Sequence, residues 1–307
     1  MSLLIWITVL VIAVAVLVKA SDFFVDGASG VGKAIGMPPF VVGVIIVGIG
    51  TSLPELVSSV VSVAQGASEI VLGNVLGSNI TNIFLVLGVT AFVAKEHRLK
   101  KEILNGDLSI FLAVTLLLYF MLQDGAYTFG EALFSLLALS IYVIYSLGHS
   151  DSEGTKKTKI EILDLAKLIV APILIFLGAK YTVESVIKIS EILSIAKEVI
   201  ALSAVALGTS LPEVMVTISA TKKGNTDMAV GNIVGSNIFN SLAVTGISRF
   251  VGVVVVPKDV LTFSLPLSVA AAVIFVIITM SKNILRWEAA FLLVFYAYFI
   301  SHLFGIV

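Results

Sequence analysis

The chain has 307 residues, of which 58% are hydrophobic and only 13% are charged. Soluble globular proteins carry roughly 25% charged residues because water must hydrate their surface, so most of this surface is expected to face lipid. The net charge of −1 gives no global field for nucleic acid, and the absence of cysteine excludes disulfides and thiolate metal sites.

Hydropathy predicts ten membrane-spanning segments, since a helix needs about 20 mainly apolar residues to cross the hydrocarbon core. They lie near residues 3–20, 38–64, 69–94, 103–122, 127–148, 162–180, 196–221, 226–252, 260–280 and 286–305. The first segment resembles a signal peptide, but it lacks a basic n-region and has a counterpart later in the chain. We therefore interpret it as a permanent span.

Two stretches of the chain repeat each other at an offset of 158 residues without a gap. Residues 50–84 and 208–242 both begin with GTSLPE, and 14 of their 35 aligned positions are identical. The repetition predicts an all-α polytopic membrane protein with ten transmembrane helices in two five-helix repeats. The repeats are residues 1–148 and 162–307, and residues 149–161 form a polar linker.

The distribution of Lys and Arg predicts the orientation, because cytoplasmic loops carry an excess of both. Fourteen of these residues lie on the side of the linker and five on the other side. The linker is therefore expected in the cytoplasm, and both termini are expected outside the cell membrane. Five spans per repeat then place the two repeats in opposite orientations, as in many secondary transporters.

Only two carboxylates are predicted deep inside the spans, Glu55 and Glu213, and both end a GTSLPE motif. A charge at the bilayer centre costs at least about 2.5–3.5 kcal/mol. No Lys or Arg is predicted at that depth, so a cation from outside is the expected partner. The alternative is a protonated pair of Glu with a purely structural role.

Each motif also contains residues that interrupt a helix. Pro54 and Pro212 have no N–H group, so the carbonyls of Gly50 and Gly208 lose their helical partners. We expect an unwound turn that points backbone carbonyls and hydroxyls inward, although a kink that serves helix packing alone is the alternative. The hydroxyls concerned belong to Thr51, Ser52, Thr209 and Ser210.

The span after each motif carries a polar stripe at i, i+4 and i+8, which lies on one helix face. The stripes are Asn74, Ser78 and Asn82 in the first half, and Asn232, Ser236 and Asn240 in the second. Interhelical hydrogen bonding could explain one stripe, but two stripes facing carboxylates favour an ion site. Its ligands would all be oxygens, which suits a hard cation such as Ca²⁺.

The two motifs, GTSLPE followed by GNVLGSNITN and GTSLPE followed by GNIVGSNIFN, resemble the α-repeats of the cation/calcium exchanger superfamily. The similarity is greatest to its prokaryotic sodium/calcium exchangers. The resemblance implies a secondary active antiporter, not an enzyme, that exchanges sodium for calcium by alternating access at a midplane carboxylate site. In that family, two helices slide against a fixed core.

The resemblance also implies the ligands. Calcium would be held by Glu55, Glu213 and the carbonyls of Thr51 and Thr209. One flanking sodium site would use Gly48, Thr51, Ser52, Glu55 and Ser78, and the other Ala206, Thr209, Ser210, Glu213 and Ser236. Asn82 and Asn240 would line the central pocket, and Asn240 replaces the Asp of potassium-dependent relatives.

A calcium/proton antiporter on the same fold is the main alternative function. Proton-coupled relatives carry Glu where this chain has Gly77 and Gly235, which disfavours that reading. A passive channel would not explain the inverted symmetry. An intramembrane enzyme would need a nucleophile paired with a base or a cluster of metal ligands, and the sequence shows neither. The expected partners are the lipid bilayer and the transported Na⁺ and Ca²⁺, with no cofactor, nucleic acid or protein partner.

Overall fold

The computed structural model describes residues 3–93, 104–148, 159–193, 210–281, 284–303 and 305–307. Its elements follow in chain order. In the first half they are α1 (Leu3–Ile35), α2 (39–51), α3 (Leu53–Ala64), α4 (Glu69–Val93), α5 (Leu104–Leu122), β1 (Ala126–Tyr127) and α6 (Phe129–Gly148). In the second half they are α7 (Ile162–Ile192), α8 (Leu211–Lys222), α9 (226–251), β2 (Val254–Val255), α10 (Val260–Met280) and α11 (Arg286–Leu303).

Six helices of the described residues are long and apolar enough to cross a membrane. They are Leu3–Ile35, Pro39–Ala64, Glu69–Val93, Phe129–Gly148, Ile162–Ile189 and Val260–Met280. The chain is therefore an integral membrane protein with a helical membrane fold. The total of ten spans stays a prediction, because half of the predicted span 196–221 lies outside the described residues.

Helices α1 and α7 extend well beyond the predicted spans 3–20 and 162–180. The 33 residues of α1 correspond to about 50 Å at 1.5 Å per residue, whereas the hydrocarbon core is about 30 Å thick. The two helices pack along each other, and a Cβ on Gly178 would lie 3.0 Å from Leu17 Cβ. This packing explains why α1 continues through a sequence too polar for a hydropathy prediction.

Four helices contain π-helical stretches, at Val42–Val47, Asn82–Val86, Asn240–Val244 and Val260–Ser264. Two of them begin at Asn82 and Asn240, the last residues of the two polar stripes. A π-helical stretch widens the helix locally and is frequent at functional sites. A π-helical stretch therefore begins in both halves at the residue predicted to line the central pocket.

Helices α2 and α9 contact each other backbone to backbone. A Cβ on Gly235 would lie 2.2 Å from the Val44 carbonyl oxygen, and one on Gly231 would lie 2.3 Å from that of Phe40. Only glycine allows this approach, as small residues do at helix interfaces in membranes. The packing brings the first GTSLPE motif against the polar stripe of the second half.

The long helices α1 and α7 pack unequally on the two halves. Helix α1 lies along α8, whereas α7 makes no comparable contact with the equivalent helix α3 within the described ranges. Exposure follows this difference: Val57 and Val61 on α3 are 57% and 45% exposed, whereas Ser219, the equivalent of Val61, is buried. Within the described residues, α8 is thus covered by α1 and forms the closed side, whereas α3 is exposed and forms the open side.

Polar contacts hold the closed side together. The Ser219 hydroxyl donates a hydrogen bond to Asp22 Oδ1 at 2.6 Å, and Lys223 Nζ pairs with Asp26 Oδ1 at 2.6 Å. Lys223 Nζ also donates to the Asp22 carbonyl at 2.7 Å. At the equivalent positions on the open side, Val61 and Gln65 stand in place of Ser219 and Lys223.

Candidate functional site

The helix that carries the first GTSLPE motif is interrupted at Ser52, between α2 and α3. Ser52 has φ −87° and ψ 1°, and Pro54 lies in the first turn of α3. Ser210 has nearly the same conformation before α8, with φ −90° and ψ 0°. The expected interruption is therefore present, one residue after Thr51 rather than at Gly50, which remains helical.

Two carboxyl groups, those of Glu55 and Glu213, follow Ser52 and Ser210 by three residues in the sequence. Glu55 and Glu213 are 0% and 1% exposed, and they are close enough to interact electrostatically. Ser78 lies beside the Glu55 carboxyl group, and Thr51 and Ser52 lie beside that of Glu213. The two acids of the repeated motif therefore share one buried site.

None of the four carboxyl oxygens makes a hydrogen bond of good geometry, although the hydroxyls of Ser78, Thr51 and Ser52 lie near them. The ion pairs found among the described residues involve neither acid. No group of three or more His, Cys, Asp or Glu that could hold a metal occurs in the described part of the chain. Because a buried unpaired charge is costly, the arrangement calls for a cation that is held by two carboxylates and neutral oxygens.

A cluster of neutral oxygens adjoins the acids where α2 meets α9. Thr51 Oγ1 and Ser236 Oγ are 3.2 Å apart, and they lie 3.4 and 3.3 Å from the Gly48 carbonyl oxygen. Neighbouring ligands of an octahedral ion are √2 times the metal–oxygen distance apart. These separations therefore correspond to metal–oxygen distances of about 2.3–2.4 Å, at the short end of the calcium range. The three oxygens have the spacing of one face of a cation site.

Four asparagines lie where α4 and α9 meet, on the helices that carry Ser78 and Ser236. Asn82 Nδ2 donates to Asn237 Oδ1 at 2.9 Å, and Asn237 Nδ2 donates to the Asn79 carbonyl at 3.2 Å. Asn79 Nδ2 donates to Ser241 Oγ at 2.9 Å. Asn240 is fully buried, and neither its Oδ1 nor its Nδ2 has a partner, so its carboxamide is available to an ion or to water.

The structure brings most of the predicted site residues together. Glu55, Glu213, Thr51, Ser52, Ser78, Ser210, Ser236, Asn82 and Asn240 are all buried, and Gly48 contributes its carbonyl. Ala206, Gly208 and Thr209 lie outside the described residues, so the second flanking set is only partly visible.

The contacts of the flanking residues cross between the two repeats. Gly48 and Thr51 contact Ser236, and Thr51 lies beside Glu213. The sodium set predicted from the family resemblance places Gly48 and Thr51 with Ser78 and Glu55, which lie beside each other. The flanking set crosses between the halves because α2 packs against α9.

Asn232, a member of the predicted polar stripe, and Thr217, for which the sequence made no prediction, also adjoin this cluster. Asn232 Oδ1 lies 3.2 Å from Thr51 Oγ1, and its Nδ2 donates to Thr217 Oγ1 at 2.8 Å. The i, i+4 spacing to Ser236 marked Asn232 as part of the polar stripe. Thr217 gave no signal, since its role depends on which face of α8 meets α9.

Comparison with known families gives a match over nearly the whole chain. The family described as sodium/calcium exchanger protein matches residues 5–148 and 164–305. The sodium/calcium exchanger MaX1 of Methanosarcina acetivorans is 35% identical over 97% of this chain and 98% of its own length. The inner membrane protein YrbG of Escherichia coli is 29% identical over 79% of this chain and 78% of its own length.

The fold also matches solved structures. The sodium-calcium exchanger NCX_Mj, soaked with Na⁺ and Sr²⁺, superposes with a TM-score of 0.86. The alignment covers 98% of this chain and 99% of that chain at 26% identity. Sequence and fold thus lead to the same group of proteins.

Proposed function

Because the chain belongs to the sodium/calcium exchanger family, we propose that it exchanges Na⁺ for Ca²⁺ by alternating access at the site between Glu55 and Glu213. The observation that carries this proposal is the pair of buried carboxylates, whose four oxygens make no hydrogen bond of good geometry. Two carboxylates match the charge of one divalent ion. They can also be neutralised by sodium ions bound in its place.

Calcium is proposed to lie between the two carboxylates, with the backbone carbonyls of Thr51 and Thr209 as further ligands. Ca²⁺ takes 6–8 oxygens in flexible geometry, and bidentate carboxylates with two carbonyls supply that number. The site contains no sulfur or imidazole ligand among the described residues, so soft metals are poor competitors.

Sodium is proposed to bind on both sides of the calcium position. One site comprises the Gly48 carbonyl with Thr51, Ser52, Glu213 and Ser236. This set follows the contacts between α2 and α9. The other comprises Ala206, Thr209, Ser210, Glu55 and Ser78, by the repeat relation. Asn82 and Asn240 line the space between the two sites.

The neutral groups of the site favour sodium coupling over proton coupling. A proton-coupled exchanger needs ionisable groups beyond those that bind calcium, and Gly77 and Gly235 cannot supply them. Gly235 also cannot accept a longer side chain, because a Cβ there would lie 2.2 Å from the Val44 carbonyl. Asn240 adds no third charge, so this site offers no feature that calls for potassium.

Alternating access is proposed to arise from movement of α1 and α7 against the remaining helices. Its support is the unequal packing, in which α1 covers α8 while α3 stays exposed. The α8 end carries Lys222 and Lys223, so by the positive-inside rule it faces the cytoplasm. In this interpretation the repeats are inverted, both termini lie outside the plasma membrane, and the structure is open to the outside.

Transport by purified protein in liposomes tests the proposal. Vesicles loaded with sodium and diluted into sodium-free buffer should accumulate ⁴⁵Ca²⁺ without potassium, and a pH gradient alone should drive little uptake. Vesicles with equal sodium on both sides are the control. Robust uptake driven by protons without sodium would favour the calcium/proton antiporter, and sustained downhill flux without a counter-ion would indicate a channel.

A further inference from the structure

Asn232 connects two hydroxyls of the flanking cluster to a neighbouring helix. Its Oδ1 lies 3.2 Å from Thr51 Oγ1 and 3.4 Å from Ser236 Oγ. Its Nδ2 donates to Thr217 Oγ1 at 2.8 Å, which is shorter than either. Asn232 is 1% exposed and Thr217 is fully buried, so water does not replace these contacts.

Each of the two hydroxyls has two acceptors within reach, because Thr51 Oγ1 and Ser236 Oγ also lie 3.4 and 3.3 Å from the Gly48 carbonyl oxygen. A hydroxyl has one proton and two lone pairs, and it can bind a cation only if the proton points away from the ion. The Asn232 carbonyl oxygen accepts without donating, and its two lone pairs match two hydroxyls. When the Gly48 carbonyl binds the ion instead of accepting these protons, both protons are directed to Asn232, and the lone pairs of Thr51 and Ser236 face the site.

Asn232 lies on the outer side of the cluster. On α9 it precedes Ser236 by one turn, and Asn240 follows Ser236 toward the centre. On α8, Thr217 lies one turn beyond Glu213, away from the centre. Asn232 and Thr217 thus each lie one helical turn, a rise of some 5.4 Å, from Ser236 and Glu213 on their own helices.

Thr217 fixes the orientation of the carboxamide. An Asn side chain can rotate by a half turn, and in the reversed state its NH₂ group would donate to the two hydroxyls, whose own protons would then point toward the cation. The bond from Nδ2 to Thr217 Oγ1 opposes this rotation. The other half of the chain repeats the arrangement, since Asn74 Nδ2 donates to Ser59 Oγ at 3.1 Å, and these residues are the equivalents of Asn232 and Thr217.

We propose that Asn232, held by Thr217, is a positioning residue that directs the hydroxyl lone pairs of Thr51 and Ser236 toward a bound sodium ion. The inference rests on the proposed sodium/calcium exchange. It assigns sodium affinity to a residue outside the ligand shell. The calcium position depends on carboxylates and backbone carbonyls, so Asn232 should affect sodium binding far more than calcium binding.

The test compares sodium and calcium affinity in the same reconstituted protein. Calcium/calcium exchange in sodium-free buffer gives the KM for Ca²⁺, and inhibition of that exchange by added Na⁺ gives the half-inhibiting concentration. Asn232→Leu should raise the half-inhibiting Na⁺ concentration about tenfold, the effect of one to two lost hydrogen bonds. The KM for Ca²⁺ should change by less than about twofold, since the calcium ligands remain.

Variants of α8 separate positioning from general disturbance of the core. Thr217→Val keeps the shape but removes the acceptor, and it should raise the half-inhibiting Na⁺ concentration about threefold. Thr217→Ser should restore the wild-type value. Thr221→Val makes the same change one turn away, where the hydroxyl donates only to the Thr217 carbonyl, and should have no effect on sodium inhibition.

The outcomes distinguish this inference from the proposed function. Unchanged sodium inhibition in Asn232→Leu, or an equal rise in the KM for Ca²⁺, would overturn the positioning role while leaving exchange intact. If sodium fails to inhibit the wild-type protein at all, the proposed function itself is wrong.

Discussion

Breaking the contacts between α1 and Lys223 should shift the protein toward the state that is open along α8. Lys223 pairs with Asp26 at 2.6 Å and donates to the Asp22 carbonyl at 2.7 Å. Both contacts join a helix proposed to move to one proposed to stay fixed. Lys223→Gln removes the charge, and among the described residues the equivalent position on the other half, Gln65, forms no ion pair.

The expected shift follows from the exposure of the pair. The Lys223 and Asp26 side chains are 28% and 47% exposed, so solvent screens their attraction and the pair contributes about 0.2–1 kcal/mol. With the hydrogen bond to the Asp22 carbonyl, the total is about 1 kcal/mol. This energy corresponds to about a fivefold change in the ratio of the two states.

Labelling of an introduced cysteine measures this ratio, since the chain has no cysteine of its own. Met215 on α8 packs against the cluster that includes α1, and it is the equivalent of the exposed Val57. In Met215→Cys protein, Lys223→Gln should speed maleimide labelling about fivefold. Lys222→Gln is the matched control. Lys222 is exposed, and of these two adjacent lysines it is Lys223 that forms the ion pair with α1. Equal labelling rates in the two backgrounds would refute the role of the pair.

Three further predictions concern the site, the packing and the topology. Glu55→Gln and Glu213→Gln should each abolish calcium exchange with little loss of folded protein, because charge is lost and volume is kept; near wild-type ⁴⁵Ca²⁺ exchange in either variant would contradict the central site. Gly235→Ala should destabilise the protein by about 1–3 kcal/mol through overpacking, which a lower Tm would show. Gly130→Ala is the control and should leave the Tm unchanged, because the atom nearest to the added Cβ would be 3.8 Å away. Equal Tm values for the two variants would count against the close α2–α9 contact. Cysteines replacing Ser152 and Lys100 should react only from the cytoplasm and one replacing Gln123 only from outside, and the reverse pattern would overturn the orientation.

Sequence reasoning succeeded where the chemistry of single residues determines the structure. Proline without an N–H group predicts a helix interruption, and the structure has one at Ser52, while Ser210 has nearly the same backbone conformation at the start of α8. The burial of Glu55 and Glu213 follows from their position in apolar spans without a basic neighbour. The polar stripes were predicted because a helix repeats its faces every three to four residues.

Sequence reasoning was insufficient where the outcome depends on which helices meet. The contact between α2 and α9 depends on Gly231 and Gly235 together with the small residue Gly43, and no pattern within one repeat reveals that pairing. The grouping of Ser236 with Gly48 and Thr51 follows from it. The length of α1 was underestimated because its polar second half is stabilised by packing against other helices rather than by lipid.

Calcium binding to the purified protein at equilibrium tests the central claim most directly. Binding of ⁴⁵Ca²⁺ should saturate at one ion per chain and should be displaced competitively by Na⁺, because both ions need the same two carboxylates. The double variant Glu55→Gln/Glu213→Gln should bind no calcium while keeping the wild-type elution profile. Calcium binding that survives in this variant, or that sodium does not displace, would contradict a shared site between Glu55 and Glu213.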